Sequence, residues 1–194
     1  RLLSLWGRRL EFSSLRLTRP SVNLIRTAQG QWTIQPLLDR AAAVRLPAVT
    51  ISRGRLNLKF GEVKSVFYFS GVDLHLRPPS RPGGAFTVDF SGEPARTDRA
   101  VRGFGTLTAR GRWRPSSPRG GDLDLDLNLE RSSLGELIGL VYGRDIGLHG
   151  QVSGQATMRG GASNLGLDGT LQLTDLHRWD MLPPYAQGGA VRFQ

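Results

Sequence analysis

Three carboxylates at alternate positions, Asp122, Asp124 and Asp126, are the first residues whose spacing points to chemistry. Acids two apart supply ligands in a calcium loop, but the sharp turn of an EF-hand needs glycine at its sixth position, where this chain has Leu127. On a strand the same spacing lines one exposed face with charge, and that reading is adopted. His75, His149 and His177 lack the close pairing of zinc motifs, so no metal ligands are assigned. The segment from Asp175 to Asp180, DLHRWD, offers a proton-transfer pair, yet a strand-end turn with ion pairing and a tryptophan anchor accounts for it better. From Glu93 to Arg99 the chain reads as a charged loop with weak local ion pairs. Nucleophile elbow, phosphate loop and dinucleotide fingerprint are all missing from the sequence. No catalytic residue and no cofactor is assigned, and the chain is read as a non-enzyme.

Composition narrows the classes further. With 39% hydrophobic residues and 25 glycines in 194, the chain belongs among folded proteins rather than disordered ones. Having no cysteine, it excludes disulfides and thiolate chemistry while leaving the compartment open. No apolar run reaches the roughly 18 to 20 residues that a membrane helix needs. The net charge of +10 comes almost wholly from arginine, Lys59 and Lys64 being the lysines. Those arginines are scattered singly, which fits a solvated outer face, with lipid phosphate as an anionic alternative. Nucleic acid is disfavoured, because neither a helix-turn-helix nor an RNP-like aromatic run is present. Oligomeric state is not legible. The strand-like ends, Arg1 to Trp6 and Ala190 to Gln194, are expected to belong to a single unit, 1–194, cut from a longer protein, with a subdivision point near 115–121.

The elements that would hold these residues are mostly strands. Val22 and Leu24 alternate with Asn23 and Ile25, and a Gln29-Gly30 turn leads to a returning strand through Trp32 and Ile34. Pro36 opens a short helix to about Ala43, since proline suits the first helical turn. A phase slip at Ser13-Ser14 predicts a bulge or a break. Turns are predicted at Arg53-Gly54, Gly61-Glu62 and Ser70-Gly71, and a loop from Pro78 to Gly84. Asp122 to Glu130 alternates strictly, with Leu123, Leu125, Leu127 and Leu129 on one face. Ser133 and Glu136 form a capping box that opens a second helix, to about Tyr142. Two long strands follow, Leu148 to Met158 and Leu165 to Asp175. Glycine turns at this spacing predict an antiparallel all-β fold with two short helices.

Each strand is apolar on one side, and two short helices cannot cover a sheet. Burying four leucines such as Leu123 to Leu129 is worth about 6 to 12 kcal/mol, so that face must be covered. A closed sandwich or barrel is the solution favoured by pattern alone. A bent sheet with an open groove for acyl chains is the other.

A resemblance bears on that choice. The stretch from Leu15 to Leu38, with R-P-S-V-N-L-I-R, then Gly30-Gln-Trp32, then a short helix, resembles the opening unit of AsmA family proteins. Similar texture continues through Leu46 to Leu56, Val72 to Leu76 and Leu165 to Trp179; Thr33 follows the tryptophan where the family has asparagine. The resemblance implies a periplasmic protein of Gram-negative bacteria, anchored to the inner membrane by an N-terminal helix outside this segment. It implies a bent antiparallel sheet forming an open, apolar-lined groove that binds phospholipid and supports lipid transport and outer membrane biogenesis. Under this reading Leu123, Leu125, Leu127, Leu129, Val152, Leu171 and Leu173 contact acyl chains, and Leu37 and Leu38 belong to a helix at the groove end. The alternative is a structural or interaction module whose sheet closes as a β-sandwich without lipid.

Overall fold

A computed structural model describes residues 12–27, 32–34, 36, 46–60, 63–81, 83–96, 105–116, 121–142, 146–161, 164–178 and 189–193. Its strands are β1 (Ser14–Thr18), β2 (Ser21–Arg26), β3 (Ala48–Phe60), β4 (Val63–Arg77) and β5 (Phe86–Arg96), then β6 (Thr106–Arg114), β7 (Asp122–Ser133), β8 (Leu148–Gly161), β9 (Asn164–Arg178) and β10 (Gly189–Phe193). One helix, α1 (Leu134–Tyr142), follows β7 directly. All ten strands form one open sheet, in which β3 to β10 lie in chain order and β1 and β2 share the outer edge of β3.

The all-β expectation holds, with one correction of direction. β3 to β10 are antiparallel neighbours, but β1 and β2 both run parallel to β3. Parallel pairing needs a crossover of roughly a dozen residues or more, and the long connection from Thr27 to Pro47 supplies it. β1 and β2 act as one interrupted strand. At the interruption the Arg19 N–H donates to Ser52 O (2.8 Å) and the Arg55 N–H to Pro20 O (2.8 Å), so the edge ladder continues across Arg19-Pro20.

The hairpin after β2 is present where it is described. Arg26 bridges Trp32 antiparallel, and the Thr33 N–H donates to Ile25 O (2.9 Å). Its turn, Gln29-Gly30, lies outside the described residues. Of the first predicted helix, Pro36 is helical and the remainder, with Leu37 and Leu38, lies outside them as well. The second helix appears as expected, its Ser133 Oγ accepting the Glu136 N–H at 3.4 Å.

Two predicted turns are bulges instead. β3 continues through Arg53-Gly54 and β4 through Ser70-Gly71, each with a shift of register. A left-handed residue is common to turns and bulges, and the two differ in whether the ladder resumes. Here it resumes. Arg53 (φ 53°), Gly71 (φ 58°) and Arg131 (φ 44°) each sit in a three-residue step between apolar positions: Ile51 to Gly54, Phe69 to Val72 and Leu129 to Ser132. An odd step would throw the later side chains onto the wrong face, and the bulge restores them. Arg19 (φ 53°), Gly105 (φ 75°) and Asp175 (φ 54°) extend this line of irregularities across the sheet, giving it a crease toward the α1 end.

Side chains from the next strands satisfy two bulges. The Arg53 N–H donates to Asp73 Oδ1 (3.0 Å), and the Arg131 N–H donates to Ser153 Oγ (3.0 Å). Asp73→Ala is expected to destabilise the fold by about 1 to 2 kcal/mol, whereas Asp73→Asn, which keeps an acceptor, loses less than half of that. Urea unfolding of both variants measures it; equal losses would mean that the acceptor does not hold the bulge.

Candidate functional site: the apolar face of the sheet

Residues directly opposite each other in a ladder share a face, so the register maps the surface. One row runs Ile51, Leu74, Phe90, Ala109, Leu127, Ala156, Gly169, Phe193 from β3 to β10. A second runs Val49, Leu76, Val88, Gly111, Leu125, Met158, Leu167. A third joins Gly92, Leu107, Leu129, Gly154, Leu171 and Val191. Leu15 and Leu17 of β1 and Val22 and Leu24 of β2 continue this face beyond β3. The face is apolar apart from Ser132, which stands opposite Val152, and no second sheet lies over it among the described residues.

Little of this surface is buried. Seven apolar residues among those described are: Phe69, Val72, Phe86, Ala109, Trp113, Leu125 and Val152. Phe86 and Trp113 anchor one cluster, ring centroids 5.3 Å apart, with Leu46, Leu76, Val88 and Leu123 packed around them. At the other end α1 packs against β4, β5, β7 and β8, near Val72, Val152 and the edge-on pair Phe69–Phe90 (5.9 Å). Among the described residues the face is most exposed toward the β9–β10 edge. Leu165, Leu167 and Val191 are 49%, 43% and 49% exposed.

All seven residues predicted to contact lipid lie on this face, in β7, β8 and β9. Leu123, Leu127, Leu129, Leu171 and Leu173 are half-buried and reachable. Leu125 and Val152 are covered by the protein's own atoms, at 8% and 1% exposure, and are corrected from contact residues to packing residues. Sequence reading passed over Leu165, Leu167 and Val191, although the first two alternate in the same strand as Leu171.

The face is corrugated. β5, β7 and β9 carry mostly large side chains, whereas β6 has Ala109 and Gly111 and β8 has Gly154, Ala156 and Gly160 in the matching positions. The gaps these small residues leave are short: Leu107 and Trp113 bound the one on β6, and Val152 and Met158 interrupt those on β8. Leu171 leans across one of them: a Cβ on Gly154 would stand 2.5 Å from its Cδ2.

The opposite face is polar and ordered by charge. Asp124 accepts from Arg159 Nε at 3.0 Å, Asp89 from Arg110 Nε at 3.3 Å, and Asp126 from Thr157 Oγ1 at 3.4 Å. Arg55 stacks over Tyr68 at 3.7 Å and also donates to Asn57 (2.8 Å). The aspartate run therefore intercalates between arginines of neighbouring strands. Two adjoining open hollows, of about 670 and 290 Å³, lie on this polar side of β6 to β9, sharing Asn128, Gln155 and Thr170. A twisted sheet is saddle-shaped, so hollows on one face do not flatten the other.

Two histidines that sequence spacing kept apart do meet. His149 and His177 are cross-strand partners with rings stacked at 5.9 Å, and His177 Nδ1 lies 2.8 Å from Asp175 O. Only the β8–β9 register brings them together. Compared with protein-family models, curated proteins and solved structures, the chain matches none.

The Asp124–Arg159 pair is largely exposed, so Asp124→Asn is expected to shift stability by less than about 1 kcal/mol. Trp113→Ala, by contrast, is expected to cost about 2 to 4 kcal/mol, below or near the usual range for a buried tryptophan because its cluster is one layer deep. Denaturant midpoints rank the two; a reversed order would place the stabilising interactions on the polar face.

Proposed function

We propose that the apolar face takes phospholipid acyl chains, and that the chain is a lipid-carrying segment of an AsmA-like periplasmic protein that serves outer membrane biogenesis. One observation carries the reading: a ten-stranded sheet puts its apolar side chains on one side, and no second sheet lies over that side among the described residues. The motif between Leu15 and Leu38 gives it a family context. Covering the exposed half of a leucine contributes on the order of 1 kcal/mol, so an acyl chain crossing several ridges gains useful affinity without any polar contact. Such a surface discriminates little between chain lengths and offers no barrier to sliding. Head groups remain at the wet margin, and attachment to the inner membrane comes from parts of the protein outside this segment.

The alternative occupant is another protein layer, which would make the segment an interaction module. Mass spectrometry of lipid copurified from a Gram-negative host separates the two. Phospholipid near or above one per chain is expected, falling at least about fivefold in a folded Leu167→Asp/Leu171→Asp variant. A well-folded, lipid-free parent would refute the acyl-chain reading and leave the interaction module.

A further inference from the structure

His149 and His177 stand on neighbouring strands, and the β8–β9 register sets them directly opposite each other, on one side of the sheet. Their ring centres are 5.9 Å apart and the ring planes are inclined at 29°. The pair lies just past the bulge where Asp175 (φ 54°) interrupts the ladder between Gln151 and His149. Both residues are half-buried, so each ring is held by packing and still reached by solvent.

The neighbours of each ring decide which nitrogen it can offer. His177 Nδ1 lies 2.8 Å from Asp175 O; a carbonyl oxygen only accepts, so Nδ1 carries the hydrogen and Nε2 keeps its lone pair. An imidazole that gives one N–H to a backbone carbonyl and keeps the other nitrogen bare is the arrangement found in metal-binding histidines. His149 is approached from α1: a Cβ on Gly135, in the first turn, would stand 3.3 Å from His149 Nδ1. That edge of the ring is packed, which leaves its Nε2. Charge favours a cation as well. Asp175 Oδ1 is 3.6 Å from His177 Nδ1, whereas Arg178 pairs with Leu148 on the other side of the sheet.

We infer that His149 and His177 hold one divalent transition-metal ion of the Cu²⁺, Ni²⁺ or Zn²⁺ class, as a two-imidazole chelate completed by water. Imidazole nitrogen binds such ions at about 2.0 to 2.1 Å, which puts each ring centre about 3 Å from the ion and two rings at a tetrahedral angle about 5 Å apart. The observed 5.9 Å exceeds this by less than about 1 Å, which small side-chain rotations within a rotamer well take up. No group of three His, Cys, Asp or Glu side chains able to hold a metal occurs among the described residues, so the protein supplies two ligands and the ion stays exchangeable. Bound there, the ion ties β8 to β9 beyond the bulge, at the open end of the hairpin and beside the first turn of α1. This clamp is independent of what covers the apolar face.

The test is calorimetric titration of the untagged 194-residue chain with Cu²⁺, Ni²⁺ and Zn²⁺, with Mg²⁺ as the hard-ion control. One ion per chain is expected, held most tightly for Cu²⁺, with no Mg²⁺ binding. His149→Ala and His177→Ala are each expected to weaken Cu²⁺ and Zn²⁺ binding at least about tenfold, and His75→Ala, on β4, less than about twofold. Because only the folded register pairs the two rings, saturating Zn²⁺ is expected to raise the urea midpoint of the parent and of neither pair variant. Electron paramagnetic resonance of the parent with Cu²⁺ needs no variant and is expected to show two coordinated imidazole nitrogens. Binding that survives in the His149→Ala/His177→Ala double variant, an equal loss in His75→Ala, or a Cu²⁺ spectrum with fewer than two imidazole nitrogens would overturn the inference.

Discussion

The constraint on which the structure depends is phase: apolar side chains must stay on one side of the sheet across strands of up to 15 residues. In β3 the step from Ile51 to Gly54 is odd, and without the bulge at Arg53 the remainder of the strand would turn Arg55, Asn57 and Lys59 onto the apolar side in place of Leu56 and Leu58. That exchange loses the burial of two leucines and strands two cations, several kcal/mol in all. A bulge with its amide held by Asp73 is far less costly. The same correction at Gly71 and Arg131 aligns the irregularities, so the crease in the sheet follows from keeping phase.

How much of this was legible follows from the range over which each signal acts. Alternation from Leu123 to Leu129 is local, and its strand and face were readable directly. The Ser133 cap was too, because the group that terminates the strand also starts the helix. Arg53-Gly54 and Ser70-Gly71 misled because a left-handed residue marks a turn and a bulge alike. The parity of the apolar positions on either side was the missing signal. Strand direction was not legible at β1 and β2, since it depends on a long connection and not on the strands themselves. Neither was the His149–His177 contact, which a shift of one residue in the β8–β9 register would undo.

On the polar face the carboxylates near Asp124 pair with side chains of the neighbouring strands. Each aspartate of β7 stands between strands that present arginine or hydroxyl groups, so its charge is spent on neighbours across the ladder. Such exposed pairs add little stability. Arg110, Arg112 and Arg114 repeat at the spacing of the aspartates, so a two-residue slip of β7 against β6 keeps two of its three carboxylates opposite arginine as well as the leucines on the apolar side. Charge in this strand therefore reinforces the choice of face made by hydrophobic alternation and does not by itself fix the step.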